Sequence, residues 1–205
     1  MSEPAPLLYV VDDDSSFLAS LSRLLGTAGY SVRRFGTAEE FLVQLSDTPG
    51  CVVADLRMPG LSGLDLQAAL KRAGSLLPVV FLTGEGDIPT SVQAMRLGAE
   101  DFLTKRASKE KLLETIERAL TRNATQRAER TRLLDLRARF KALTDREREV
   151  LQHVVRGQLN KQIAADLGIH ERTVKLHRTA ITTKLNVHSV AELALLVRDA
   201  GMLLE

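Results

Sequence analysis

The chain has a single cysteine, Cys51, in 205 residues. Neither an intrachain disulfide nor a cysteine zinc cluster can form. That fits a reducing compartment. No apolar run approaches the ~18 residues needed to cross a bilayer. The opening MSEPAP has neither the basic start nor the apolar stretch of a signal peptide. The expectation is a cytoplasmic protein without a membrane partner. The four histidines show no metal-ligand spacing such as HExxH, so no zinc site is assigned. Proline is missing after residue 89, all six lying at 4, 6, 49, 59, 78 and 89. Aromatics are scarce as well, and only Phe140 follows position 102. Two segments punctuated so differently read as two domains, the second almost wholly helical because nothing breaks it.

A large excess of one charge is also lacking. The net charge of +2 excludes a polycationic tail. It hides an asymmetry. Residues 1–120 hold 12 Lys/Arg and 16 Asp/Glu, a net −4; residues 121–139 hold 6 and 2, a net +4; residues 140–205 hold 10 and 8, a net +2. An acidic domain, a basic connector and a mildly basic domain follow one another. The boundaries predicted are 1–122, a helical linker 123–139, and 140–205.

In the first domain, short apolar runs alternate with helical spacing. The runs are LLYVV (7–11), SVRRF (31–35), CVVAD (51–55), PVVFL (78–82) and DFL (101–103). Runs one, three and four are continuously apolar, as strands covered on both faces are. Between them, apolar residues recur every three or four positions, as in Phe17, Leu18, Leu21, Leu24 and Leu25. This is the pattern of βαβ units. It predicts a five-stranded, doubly wound, parallel α/β sheet of flavodoxin-like form. Cys51, on the third strand, reads as a core residue.

The carboxyl ends of strands line the ligand crevice of such a sheet. Strand one ends in Asp12-Asp13, strand three in Asp55, strand four in Thr83-Gly84 and strand five in Thr104-Lys105. Three carboxylates, a hydroxyl and an ammonium therefore gather at one edge. The carboxylates repel unless a cation joins them, and Mg²⁺ suits oxygen ligands. The metal also offsets charge on a phosphoryl group, with Lys105 and Thr83 on its oxygens. A carboxylate left free is an oxygen nucleophile, and an aspartyl phosphate is the expected product.

The second domain reads as four short helices. Capping boxes open the first at Thr144/Glu147 and the last at Ser189/Glu192. Between them, NKQIAADL, a Gly-containing turn and ERTVKLHRTAITTKL have the helix-turn-helix pattern. On a helical wheel Val174, Ile181 and Leu185 share the core face. Arg172, Lys175, Leu176, Thr179 and Thr183 point outward, a cationic and hydroxyl-bearing face suited to the major groove. Asn160 and Lys161 open the preceding helix, where N–H groups and a cation suit a phosphate. His170 stands where a better capping residue is expected. A plain helical bundle with a solvated charged face is the bland alternative.

Two resemblances decide between these readings. VVDDD, ADLRMPGLSGLDL, FLTGEGD and DFLTK resemble the receiver domain of two-component response regulators, over residues 5–120. The resemblance implies Asp55 as phosphoacceptor from a sensor histidine kinase. It implies Mg²⁺ on Asp13, Asp55 and the Arg57 carbonyl, with Asp12 acting mainly through water. Thr83 and Lys105 match the switch hydroxyl and the family's lysine, and Phe102 its rotating aromatic. One position departs from the pattern. The family usually has a cis proline after the lysine, and here Arg106 follows. A cis bond there costs ~3–4 kcal/mol, so a trans peptide and a locally rearranged loop are predicted.

LTDREREVL, NKQIA, TVKLH and KLNV resemble the LuxR-type helix-turn-helix over 140–200. Thr173, within TVKLH, joins the DNA-contact candidates. Together the halves resemble the NarL/FixJ family, its FixJ-like branch best. The resemblance implies a transcription regulator rather than an enzyme. It also implies that phosphorylation favours dimerisation through the face of helix 90–98, strand five and the following helix, presenting two effector domains to paired half-sites on double-stranded DNA. RNA polymerase is a further candidate partner. An Mg²⁺-dependent hydrolase is the alternative enzyme reading, and Arg57 stands where it needs an acid. A phospho-regulated RNA-binding or protein-interaction module is the third.

Overall fold

Continuously apolar strands need cover on both faces of a parallel sheet, and the helices between them supply it. The structure, a computed structural model, describes residues 5–84, 92 and 94–199. The chain separates into two units, 1–128 and 129–205.

In the first unit the strands are β1 (Leu7–Val11), β2 (Ser31–Phe35), β3 (Cys51–Ala54), β4 (Val79–Thr83) and β5 (Asp101–Thr104). They form one parallel sheet in the order β2-β1-β3-β4-β5. β3 and β4 are buried throughout. Successive side chains point to opposite faces. Tyr9, Val11, Val52, Ala54, Val79 and Phe81 enter one core cluster. Leu8, Val10, Cys51, Val53, Val80 and Leu82 enter the other. The continuously apolar runs are thus accounted for. Burial pushes the Cys51 thiol up, which leaves it an inert core group.

The helices of this unit begin where local chemistry predicts. Asp14 caps α1 (Ser15–Thr27) by accepting from Ser16 and Phe17 N–H. Thr37 caps α2 (Ala38–Val43). Ser62 and Asp65 form a capping box at α3 (Gly63–Arg72). The helix α4 runs unbroken over Lys109–Lys141. Its Leu112, Ile116 and Ala119 fill the second core cluster. Further along, buried Asn123 accepts from Gly50 N–H at 3.2 Å and donates to Leu76 O at 2.6 Å. The expected helix 90–98 lies partly outside the described residues; positions 92 and 94–96 are helical.

The second unit holds α5 (Asp145–Val155), α6 (Asn160–Leu167), α7 (Glu171–Leu185) and α8 (Val190–Asp199). Its core gathers Leu136 and Phe140 of α4 with Val150, Ile163, Val174, Ile181, Leu185 and Leu193. Gly168 ends α6 at φ +62°, a left-handed conformation natural to glycine, which makes the tight turn into α7.

Glu147 does double duty in this unit. It closes the α5 capping box and lies 2.7 Å from the Lys184 ammonium. The ammonium first, and then the Thr144 N–H, hold its carboxyl below the usual range against the opposing effect of burial. A lowered folded-state value contributes stability above the unfolded value, and that stability disappears as pH falls through the folded one. Lys184 is partly exposed and screened, so Glu147→Gln is expected to cost only ~1–2 kcal/mol at pH 7. The difference from the parent should vanish at a pH below the carboxyl's folded value. Urea unfolding read from amide signals of residues 145–187 at both pH values checks this.

Candidate functional site

β1 and β3 are hydrogen-bonded neighbours, so their carboxyl ends lie side by side. The Asp55 N–H donates to Val11 O at 2.8 Å, and the Asp12 N–H to Phe35 O at 3.1 Å. The backbone thus places Asp12 and Asp55 together, both buried, with Asp13 exposed beside them. One ligand oxygen from each of Asp12, Asp13 and Asp55 lies within 4.8 Å of the others.

Strands β4 and β5 complete the edge. The Lys105 N–H donates to Thr83 O at 2.7 Å, continuing the ladder one residue beyond β5. That bond carries the lysine back over the carboxylates. Its ammonium sits 2.7 Å from Asp12 Oδ2 and 2.8 Å from Asp55 Oδ2. The same ammonium lies 4.4 Å from the Phe17 ring centroid. Thr83 is almost fully buried at the same edge. No cis peptide occurs among the described residues, and the Lys105–Arg106 bond is trans as expected.

Electrostatics follow from this packing. Burial raises the Asp12 carboxyl above its ordinary value, although Lys105 and the Asp14 N–H pull the other way. For Lys105, burial alone would lower the ammonium. Its bonds to Asp12 and Asp55 outweigh that and raise it. Three carboxylates against one ammonium leave excess negative charge. All the clustered donors are hard carboxylate oxygens, the set that suits a divalent oxophilic cation.

Two further residues shape this edge, and only the first carries a local sequence signal. Asp14 is the α1 cap, and its N–H also donates to Asp12 Oδ1 at 3.0 Å. An Asp just before a helical pattern is a cap signal. Glu39 of α2 accepts from Leu61 N–H at 3.0 Å, tethering the loop after Asp55. Nothing local announces that contact. The Arg57 N–H donates to Asp55 Oδ1 at 3.3 Å. Phe102 is half-buried beside Phe81 in register and packs on the first core cluster.

In the second unit Val174, Ile181 and Leu185 are buried, and Arg172, Lys175, Leu176, Thr179 and Thr183 are exposed, as the wheel predicts. Thr173 is half-buried. Leu176 keeps 65% of its surface exposed, an apolar group amid polar ones. Neither α6 nor α7 has a side-chain cap: Leu159 and His170 occupy the cap positions without a bond. The first-turn N–H groups of both helices thus lack a side-chain acceptor, a state that suits phosphate oxygens. Lys161 is exposed at the start of α6, and Asn160 Oδ1 accepts from the Arg178 guanidinium at 3.0 Å.

Comparison with known proteins agrees with both halves. Residues 8–117 match the response regulator receiver domain, and residues 141–197 match the luxR family of bacterial regulatory proteins. The response regulator protein TodT of Pseudomonas putida is 43% identical over 194 residues, covering 94% of this chain and 86% of TodT. The transcriptional regulatory protein FixJ of Bradyrhizobium diazoefficiens is 40% identical over 197 residues, covering 96% of each. Among solved structures, the response regulator StyR superposes with a TM-score of 0.89 at 46% identity, covering 95% of this chain and 98% of StyR. No described helix is long and apolar enough to cross a membrane. The chain belongs to the NarL/FixJ family of two-component response regulators, a receiver domain joined to a LuxR-type DNA-binding domain that regulates transcription.

Proposed function

We propose that Asp55 is the phosphoacceptor and that its phosphorylation by a sensor histidine kinase favours dimerisation and sequence-specific DNA binding. The observation that carries this is the convergence of Asp12, Asp13 and Asp55 within 4.8 Å, with the Lys105 ammonium bridging two of them. An Asp55 oxygen attacks the phosphorus of a phosphohistidine; the P–O bond forms as the P–N bond breaks, and the leaving imidazole nitrogen takes up a proton. Asp12, Asp13, Asp55 and the Arg57 carbonyl are the groups to hold Mg²⁺. When bound, it neutralises charge on the transferring phosphoryl oxygens.

Lys105 supplies a fixed positive charge at the same place. The Asp55 product oxygens need new donors, and Lys105 and the Thr83 hydroxyl are at the correct edge. Phe102, packed beside Phe81, is the switch aromatic in this reading. The α7 face then meets the major groove through Arg172, Thr173, Lys175, Leu176, Thr179 and Thr183, while Asn160 and Lys161 meet backbone phosphate. Paired half-sites follow from a phosphorylation-dependent homodimer, and RNA polymerase is the partner downstream.

The test uses a small-molecule phosphodonor. With Mg²⁺, intact-mass measurement should find one phosphoryl group per chain, and chelation of Mg²⁺ should suppress it. Phosphorylated protein should elute as a dimer and footprint discrete sites on genomic DNA. Phosphorylation that leaves both mass-resolved oligomer and footprint unchanged would contradict the coupling, since only differential affinity can shift a two-state equilibrium.

A further inference from the structure

The recognition helix carries a cation that the outward face does not use. Arg178 lies on α7 but is half-buried, turned back toward α6. Its guanidinium donates to Asn160 Oδ1 at 3.0 Å, across 18 residues of sequence. A guanidinium has donors only. The Asn160 atom facing it must therefore be the carbonyl oxygen, which settles the orientation of the amide. The Nδ2 donors are consequently turned away from Arg178. An amide so oriented offers hydrogen-bond donors, which suit phosphate oxygens, and withholds its acceptor.

The surroundings agree. Asn160 and Arg178 line an open groove of about 540 Å³ that Lys161 also lines. Asn160 is the first residue of α6, and the Leu159 side chain before it caps no first-turn N–H, while the Leu159 N–H donates to Gln162 Oε1 at 2.8 Å. Donors from backbone and side chain thus gather where one anion fits. Glu171 lines the groove too, at the first turn of α7. Its charge opposes an anion on the α7 side of the groove, so the favourable place for a phosphate is at the Asn160 and Lys161 side.

We propose that Arg178 is a positioning residue for DNA-backbone binding: it holds Asn160 so that the amide donates to a phosphate, and locks the two helices of the motif in register. This rests on the reading that α6 meets the DNA backbone. Arg178 acts through Asn160 and makes no phosphate contact of its own.

The test is fluorescence anisotropy of the full chain with a labelled mixed-sequence duplex. Non-specific duplex reports phosphate contacts, whose number sets the salt slope. Arg178→Met and Asn160→Ala should each weaken binding about 10-fold, the value of a hydrogen bond to a charged group. The double variant should be no more than ~2-fold worse than either, because both remove one contact. The salt slope of Arg178→Met should match the parent. Arg178→Lys, which keeps a donor, should recover part of the loss and shows that the effect is not misfolding. A slope lower by about 0.9 in Arg178→Met would make Arg178 a direct phosphate contact and overturn the proposal. So would additive losses in the double variant. Lys161→Ala and Lys175→Ala separate the two levels. If they lower the slope while Arg178→Met leaves affinity intact, only the positioning role fails. If they too change nothing, the DNA-facing assignment fails with it.

Discussion

Asp55→Asn is expected to abolish phosphoryl incorporation altogether. The variant keeps the shape of the side chain and one oxygen, but loses the anionic nucleophile. Asp12 and Asp13 remain in the cluster, yet neither replaces it in this reading. Their oxygens are the ones to hold the cation, and Asp12 is already paired with the Lys105 ammonium at 2.7 Å. The protein should still fold. Three carboxylates face one ammonium at this edge, so removing a negative charge relieves repulsion, and thermal stability should hold or rise. Lys105 keeps its 2.7 Å contact with Asp12 in either case.

Intact mass after phosphodonor treatment gives the direct readout, and DNA binding with and without donor gives the functional one. Donor-dependent gain in affinity by Asp55→Asn would remove Asp55 from the mechanism. Lys105→Ala provides the graded companion. It leaves the nucleophile and removes the fixed cation, so the rate of phosphorylation should fall by ~10²–10³-fold without reaching zero.

Gly63→Ala is expected to destabilise the receiver by ~3 kcal/mol and to slow phosphorylation with it. Local rules point the other way. Gly63 is the first residue of α3, and alanine is the better helix former by ~1 kcal/mol. Its φ is not in the left-handed region. The objection is purely steric. A Cβ there would stand 2.4 Å from Asp55 O, 2.8 Å from Phe81 Cε1 and 3.0 Å from Leu56 Cα. Two of those neighbours are backbone and the third is a core ring, so none can give way cheaply. The helix must back off from the phosphoacceptor strand, which also disturbs the Gly63 N–H bond to Leu56 O at 3.0 Å. Gly26→Ala is the control. It sits in α1 with nothing within 4 Å of its Cβ position, so it should stabilise by ~0.5–1 kcal/mol. Equal effects of the two substitutions in denaturant unfolding would refute the close-approach argument.

The difference between these two glycines shows where sequence reasoning stops. Both stand in helical segments beside apolar periodicity. Only the distance to a strand folded beneath one of them separates the cases. The same holds for Lys105. Its place after the last strand is legible, and its bidentate reach to Asp12 and Asp55 is not, because that depends on the Lys105–Thr83 ladder bond. The α1 cap at Asp14 is a local signal of the same kind as Thr144 and Ser189. The tether from Glu39 to Leu61 could not, since 22 residues and an intervening strand separate its ends.

By itself the sequence determined the strand and helix runs, the gathering of carboxylates at one sheet edge, the inward and outward faces of α7, and the family. These are properties of period, local capping and motif spacing, which a chain carries before it folds. The tertiary structure alone decided the single 33-residue helix α4, the burial of Asn123 against Gly50 and Leu76, the Glu147–Lys184 pair and the Arg178–Asn160 strut. The last three join residues at least 18 positions apart, and folding sets such distances through the packing of whole elements. The near-neutral charge with which the chain presents itself is the sum of an acidic first domain, a basic connector and a mildly basic second domain. In the first domain the carboxylates close on Lys105, and in the second Arg178 turns inward to Asn160.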